Sequence, residues 1–156
     1  MASPNTTFVS GNILTAAQMN NLPFGVCNTQ TITSIFNTSA PHTTFQDNGM
    51  TLTITEVSGR KYRITALGLP YPTGGAQGMG YRILRAGVSL VQRNLSTLLM
   101  NATNTFPLSL SYVYTAVSSG SVTYTAQIQA STNNTQVTDY ADATFPRQFF
   151  IEDIGS

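Results

Sequence analysis

The sequence predicts an all-β protein: an antiparallel, jelly-roll-like β-sandwich of about eight strands behind a short N-terminal helical arm. Three observations predict it. Apolar residues alternate with Thr, Ser and Gln over most of the chain, the two-residue period of a half-buried strand. Turn signals punctuate these runs at close intervals. The composition is 41% hydrophobic but only 8% charged, and Ser, Thr and Asn supply roughly a third of it; these polar types favour strands, turns and caps over helix interiors.

Residues 10–27 (SGNILTAAQMNNLPFGVC) carry the helix signal. Thr15 and Gln18 form a capping box, and Leu14 and Met19 a hydrophobic staple. Leu22-Pro23 stops the helix, because the residue before proline is pushed out of the α region. About two turns fit, too few to persist alone in water, so the segment has to dock on something. Residues 1–27 are therefore read as an arm and 28–156 as the β body. Ile13, Leu14, Met19, Leu22, Pro23 and Phe24 are its candidate anchoring residues.

The body begins with a strand over 28–36 and a loop over 37–42. Asn48-Gly49 is the strongest hairpin signal in the chain. Met50, Leu52 and Ile54 alternate with Thr51, Thr53 and Thr55, and Tyr62, Ile64 and Ala66 with Lys61, Arg63 and Thr65. With Ser58-Gly59 between them, residues 50–67 read as a hairpin with one dry face. Residues 68–80 (GLPYPTGGAQGMG) read as a Gly- and Pro-rich crossover loop, with Tyr71 its candidate ligand contact. A hairpin around Ala86-Gly87 follows, and then a crossover or short helical turn over 93–104. Residues 106–116 and 121–130 alternate cleanly and read as a second long hairpin about Ser118-Ser119-Gly120. A tip at 131–135 and a last strand over 147–154 close the chain.

Chemistry finds little purchase. His42 is the single histidine, sits in a loop, and has no Gly-x-Ser-x-Gly elbow to serve. Among the acids, Asp47 and Asp139 read as turn residues, Glu56 as a cross-strand partner of Lys61, and Glu152-Asp153 as neighbours on opposite strand faces. None makes the convergent pair a glycosidase needs. No zinc spacing, calcium loop or phosphate loop occurs, so no cofactor and no metal is expected, and no enzyme. Cys27, the lone cysteine, reads as a small buried hydrophobe. Tyr112, Tyr114 and Tyr124 read as core or interface residues, with sugar stacking the alternative.

A formal charge of +1, from seven scattered basic residues and six acids, supplies no basic stripe for nucleic acid. No run of about 18 apolar residues spans a membrane, and the polar start MASPN shows no signal peptide. Near-zero charge offers little resistance to association and suits a protein made in the cytoplasm for an assembly. An adhesin-like or secreted β domain would share that surface.

The phrase from Leu14 to Gly25, LTAAQMN-NLP-Phe-Gly, resembles the leader of small virion structural proteins of tailed bacteriophages. Weaker echoes are Thr43-Thr44-Phe45-Gln46, Gly59-Arg60-Lys61-Tyr62-Arg63-Ile64 and Phe150-Ile151-Glu152-Asp153-Ile154-Gly155. The aromatic of that phrase is often Trp in such proteins and is Phe24 here. The resemblance implies a non-enzymatic, homotrimeric virion component: a head decoration (cement) protein on the major capsid protein, or a tail appendage. The alternative expectation is a tail fibre or fibre-tip protein that recognises a host glycan, or a stand-alone lectin-like domain.

Overall fold

The computed structural model of the chain describes residues 19, 22–38, 44–73, 78–95, 107–130 and 136–156. Among them run β1 (Gly25–Ile32), β2 (Phe36–Asn37), β3 (Gln46–Glu56), β4 (Lys61–Thr73) and β5 (Met79–Arg85). They are followed by β6 (Val88–Leu95), β7 (Leu108–Thr115), β8 (Gly120–Ala130), β9 (Gln136–Tyr140) and β10 (Arg147–Gly155). All pairings are antiparallel.

In the six-stranded sheet β1 pairs with β10, β10 with β4, and β4 with β7. Short β2 pairs with β9, and β9 with the second half of β4. Only residues 33–35 separate β1 from β2, so β2 and β9 continue β1 and β10 end to end. The four-stranded sheet runs β3-β8-β5-β6.

The predicted alternation sends one face of each strand into a shared core. Met50, Leu52 and Ile54 of β3, Tyr81 and Ile83 of β5, and Tyr124, Ala126 and Ile128 of β8 meet Tyr62, Ile64 and Ala66 of β4 and Phe149 and Ile151 of β10. Each large apolar side chain buried this way is worth roughly 1.5–3 kcal/mol before ordering costs. The edge of β3 that β8 leaves free is covered by β1. Asn28 donates to the Thr53 carbonyl at 3.0 Å, and Gln30 donates to the Gly49 carbonyl at 3.2 Å while accepting from the Thr51 amide at 2.8 Å. Side chains thus do for that edge what another strand would.

Several expectations are corrected. The runs 50–56 and 61–67 do not pair with each other: β3 pairs with β8, and the tight turn at Ser58-Gly59 carries the chain from one sheet to the other. The same holds for β7 and β8, which pair with β4 and with β3 and β5. Asn48-Gly49 is a bulge inside β3, where the register shifts between Asp47 and Thr51 and Gly49 takes φ +85°. Residues 68–73 extend β4 instead of opening a loop. Beyond Gly68 only β9 pairs with this strand, so Pro70 and Pro72 can turn their missing N–H toward the unpaired side. The first strand starts at Gly25, where Gly25 and Val26 pair with Asp153 and Glu152. The β5–β6 hairpin forms around Ala86-Gly87 as expected.

Candidate functional site

The turn after β3 positions the residue on which the arm is held. Gly59 adopts φ +85°, a conformation glycine takes without strain, and lets Arg60 donate its amide to the Val57 carbonyl at 3.1 Å. Arg60 is thereby placed under the end of β10 with its side chain buried. Its guanidinium grips the Asp153 carboxylate in a two-point pair, Nε to Oδ2 and Nη2 to Oδ1 at 2.7 Å. The same Nη2 donates to the Leu22 carbonyl at 2.6 Å. The Phe24 ring lies 4.0 Å from the guanidinium carbon, a cation–π contact. The hydrogen bond to Asp153 pushes the Arg60 pKa further up, so the cation is permanent.

One buried arginine therefore clasps the last arm residues by backbone and by ring. Phe24 is still 67% exposed, because Arg60 covers one side of the ring only. Leu22, Met19 and Val26 are exposed beside it in sequence, and the Leu22 amide donates to the Met19 carbonyl at 3.2 Å. Among the candidate anchoring residues, Leu22 and Phe24 are brought together on Arg60, and Pro23 lies exposed between them. Ile13, Leu14 and the capping box at Thr15 and Gln18 lie outside the described residues, as does His42.

Cys27 corrects the expectation of a buried thiol. It is the extra residue of a bulge between Val26 and Asn28, and it is exposed. Partial desolvation pushes its pKa up, which disfavours the nucleophilic thiolate.

Two further polar networks differ from the sequence expectation. Glu56 is fully buried and pairs with Arg85 instead of Lys61: Nε to Oε1 at 2.9 Å and Nη2 to Oε2 at 2.6 Å, with the Tyr124 hydroxyl also donating to Oε1. Tyr114 stacks on Arg85 at 4.6 Å. Tyr124 is thus a core residue and Tyr114 half-buried, whereas Tyr112 is partly open to solvent. Asp139 is no turn residue but the buried centre of the opposite end. Its Oδ1 accepts from the Leu69 amide at 3.2 Å, and its Oδ2 from Asn48 at 3.0 Å and from Tyr81 and Arg147 at 3.4 Å each. Arg147 also donates to the carbonyls of Asn48 at 2.6 Å and Ser34 at 2.9 Å. Its Nε is buried without a partner. A Cβ on Gly68 would stand 2.7 Å from Asp139 Oδ1, which reserves that position for glycine. The signals for these networks were long-range and absent from local patterning.

Tyr71 sits half-buried in β4, paired with Thr138, and is not in an open loop. A shallow groove of about 390 Å³ lies on the outer side of the six-stranded sheet, between Leu67, Leu108, Phe145, Pro146 and Gln148. Among the described residues no three His, Cys, Asp or Glu come together as metal ligands, and no helix is long and apolar enough to cross a membrane.

No family model matches the chain, and no curated protein matches it at a significant level. Several solved structures resemble it in part. The structure of infectious bursal disease virus, Gx strain, aligns at 10% identity and a TM-score of 0.49 over 88% of this chain and 39% of that one. The insecticidal delta-endotoxin Cry8Ea1 from Bacillus thuringiensis aligns at 11% identity and a TM-score of 0.39, over 77% of this chain and 19% of that one. The CBM35 from Cellvibrio japonicus Abf62 aligns at 15% identity and a TM-score of 0.32 over 85% of this chain and 87% of that one. The chain spans two fifths or less of the viral and endotoxin chains.

Proposed function

We propose that this chain is a bacteriophage virion structural protein, a trimeric head decoration protein that cements the shell and has no enzymatic activity. The observation that carries the reading is the clasp on the arm. A segment whose sequence resembles a phage virion leader is held to the body by Arg60, while Phe24 keeps most of its surface for a partner. The arm, with its short capped helix, would bury Ile13, Leu14, Met19, Leu22 and Phe24 against the major capsid protein or a sister subunit. Three arms on one trimer add through effective concentration, so modest single contacts suffice.

The proposed body is a jelly roll. With short β2 and β9 set aside and the eight long strands renumbered in chain order, the sheets read 1-8-3-6 and 2-7-4-5. That order interleaves two Greek keys, the architecture of many capsid and lectin domains. The lectin half of that pair keeps the second reading in play: a tail fibre protein that binds a host glycan through exposed aromatics such as Phe145.

Antibody to the chain, visualised on intact particles, separates the two. Labelling over the head at high copy number supports decoration; labelling confined to the tail supports the fibre. The variant Phe24→Asp is expected to fold and to leave particles. Normal occupancy of that variant would overturn the anchoring role.

A further inference from the structure

Most of the large apolar residues exposed among those described lie toward one end of the molecule, although Tyr112 and Val113 are exposed on β7 and Ile35 and Phe145 toward the Asp139 end. Both sheet faces turn many hydrophilic side chains outward, with Val113 beside Arg63 an apolar exception. On the four-stranded sheet these are Thr51, Thr53, Thr55 and Thr123; on the six-stranded sheet they are Lys61, Arg63 and Thr29, with Arg63 paired to Glu152 at 3.4 Å. The larger share of the apolar exposure gathers at one end of the sandwich, where the arm is clasped. Val57 stands in the turn between β3 and β4, and Val117 in the turn between β7 and β8. Backbone and serine hydrogen bonds tie these turns together: Gly59 to the Ala116 carbonyl at 2.7 Å, Ser58 to Ser119 Oγ at 2.9 Å and Ser58 Oγ to the Val117 carbonyl at 3.3 Å. Val88 stands at the tip of the β5–β6 hairpin, drawn in by the Arg85–Glu56 pair and by the Ala86 amide on the Thr123 carbonyl at 2.9 Å. Phe24 joins from the clasp, with Leu22 and Val26 beside it in sequence. Val117 is 79% exposed, Val88 68% and Val26 60%.

We infer that this arm-side end, with Leu22, Phe24, Val26, Val57, Val88 and Val117 at its centre, is the surface on which copies of this chain pack against one another. The inference deepens the assembly reading and rests on it. Three features favour a sister copy as the occupant. First, the end is electrically closed. Its two arginines are each paired two-point with a buried carboxylate, Arg60 with Asp153 and Arg85 with Glu56, and Lys61 stands at the rim. Such a face meets a copy of itself without setting like charges together, which is the usual obstacle to self-association. Secondly, the tips are pre-organised by those ion pairs and by the turn-to-turn hydrogen bonds, so little ordering remains to be done on contact. Thirdly, strand addition at β3, one of the two edges of the four-stranded sheet, is closed by Asn28 and Gln30. A cluster of exposed apolar side chains with neutral surroundings is the composition of an interface core.

The test is the oligomeric state of the full chain by light scattering and native mass spectrometry, without particles. The wild type and a sheet-face control, Thr31→Asp, are expected to be oligomers. The double variant Val57→Asp/Val117→Asp is expected to be a monomer with an unchanged circular dichroism spectrum, association falling roughly a hundredfold or more. Val88→Asp, at a hairpin tip where the side chain is mostly exposed, repeats the test should the double variant fail to fold. A monomeric wild type, or an oligomer that survives Val88→Asp or a folded double variant, overturns the interface. Particle binding measured separately tells the two readings apart. A monomer that still coats shells sinks the interface alone; an oligomer that never binds them sinks the decoration role alone.

Discussion

Asp139 shows how much one buried carboxyl can organise. Four donors from four strands converge on it: Asn48 of β3, the Leu69 amide of β4, Tyr81 of β5 and Arg147 of β10. Burial pushes its pKa above the ordinary carboxylate value, while Arg147, Asn48 and the Leu69 amide pull it back. The folded protein therefore holds this proton to a higher pH than the unfolded chain does. The sign follows: the Asp139 contribution to stability is complete below about pH 4, where both states are protonated, and is lost as pH rises through the raised folded value. Asp139→Asn turns an amide toward surrounding donors and leaves at least one of them without its acceptor, at a cost of about 1–3 kcal/mol. On top of that constant cost, the stability gap between wild type and variant should be widest in acid and narrow as pH rises. Urea unfolding at a series of pH values checks it; a gap that widens with pH would mean that the ion pair outweighs burial at this site.

Among the elements, β1 carries a duty its length does not advertise. It lies at the edge of the six-stranded sheet, yet its Asn28 and Gln30 cover the open edge of β3 in the other one. Replacing both by Ala removes three hydrogen bonds, each worth about 0.5–1.5 kcal/mol net, and bares the β3 edge. The expected outcome is modest destabilisation with a marked rise in aggregation on warming, read by light scattering beside calorimetry; unchanged aggregation would show that the edge is protected some other way. The two roles were legible in the sequence to different degrees. Alternation announced nearly every strand and which residues face the core, because period two is a local consequence of the pleat. It was silent on partners. A tight turn such as Ser58-Gly59 looks the same whether the chain returns to its own sheet or steps to the facing one, since both routes bury Leu52 and Ile64. That is why two apparent hairpins proved to be bridges between sheets. The clasp was half legible: the helix stop at Leu22-Pro23 and the aromatic at Phe24 marked the arm's end. Arg60, 38 residues from Leu22, carried no local sign of holding it.

At the scale of the whole molecule, those bridges have a kinetic meaning. Almost no strand pairs with its neighbour in sequence; β1 waits for β10, β3 for β8, and β4 for β7, β9 and β10. Loop-closure entropy must be met before most of these contacts return any energy, so folding should be slow, on the order of milliseconds to seconds. The last strand is the keystone of this arrangement. β10 lies between β1 and β4, supplies Phe149 and Ile151 to the core, and brings both Arg147 to Asp139 and Asp153 to Arg60. Without it β1 has no partner, and two buried ions at opposite ends of the sandwich lose their counter-charges together. A chain ending before Arg147 is therefore expected to show no cooperative unfolding transition. A chain lacking only residues 155 and 156 keeps both ion pairs and is expected to retain the transition. Calorimetry on the two truncations decides it, because a body that melted cooperatively without β10 would place the organising contacts in the β3-β8-β5-β6 sheet instead.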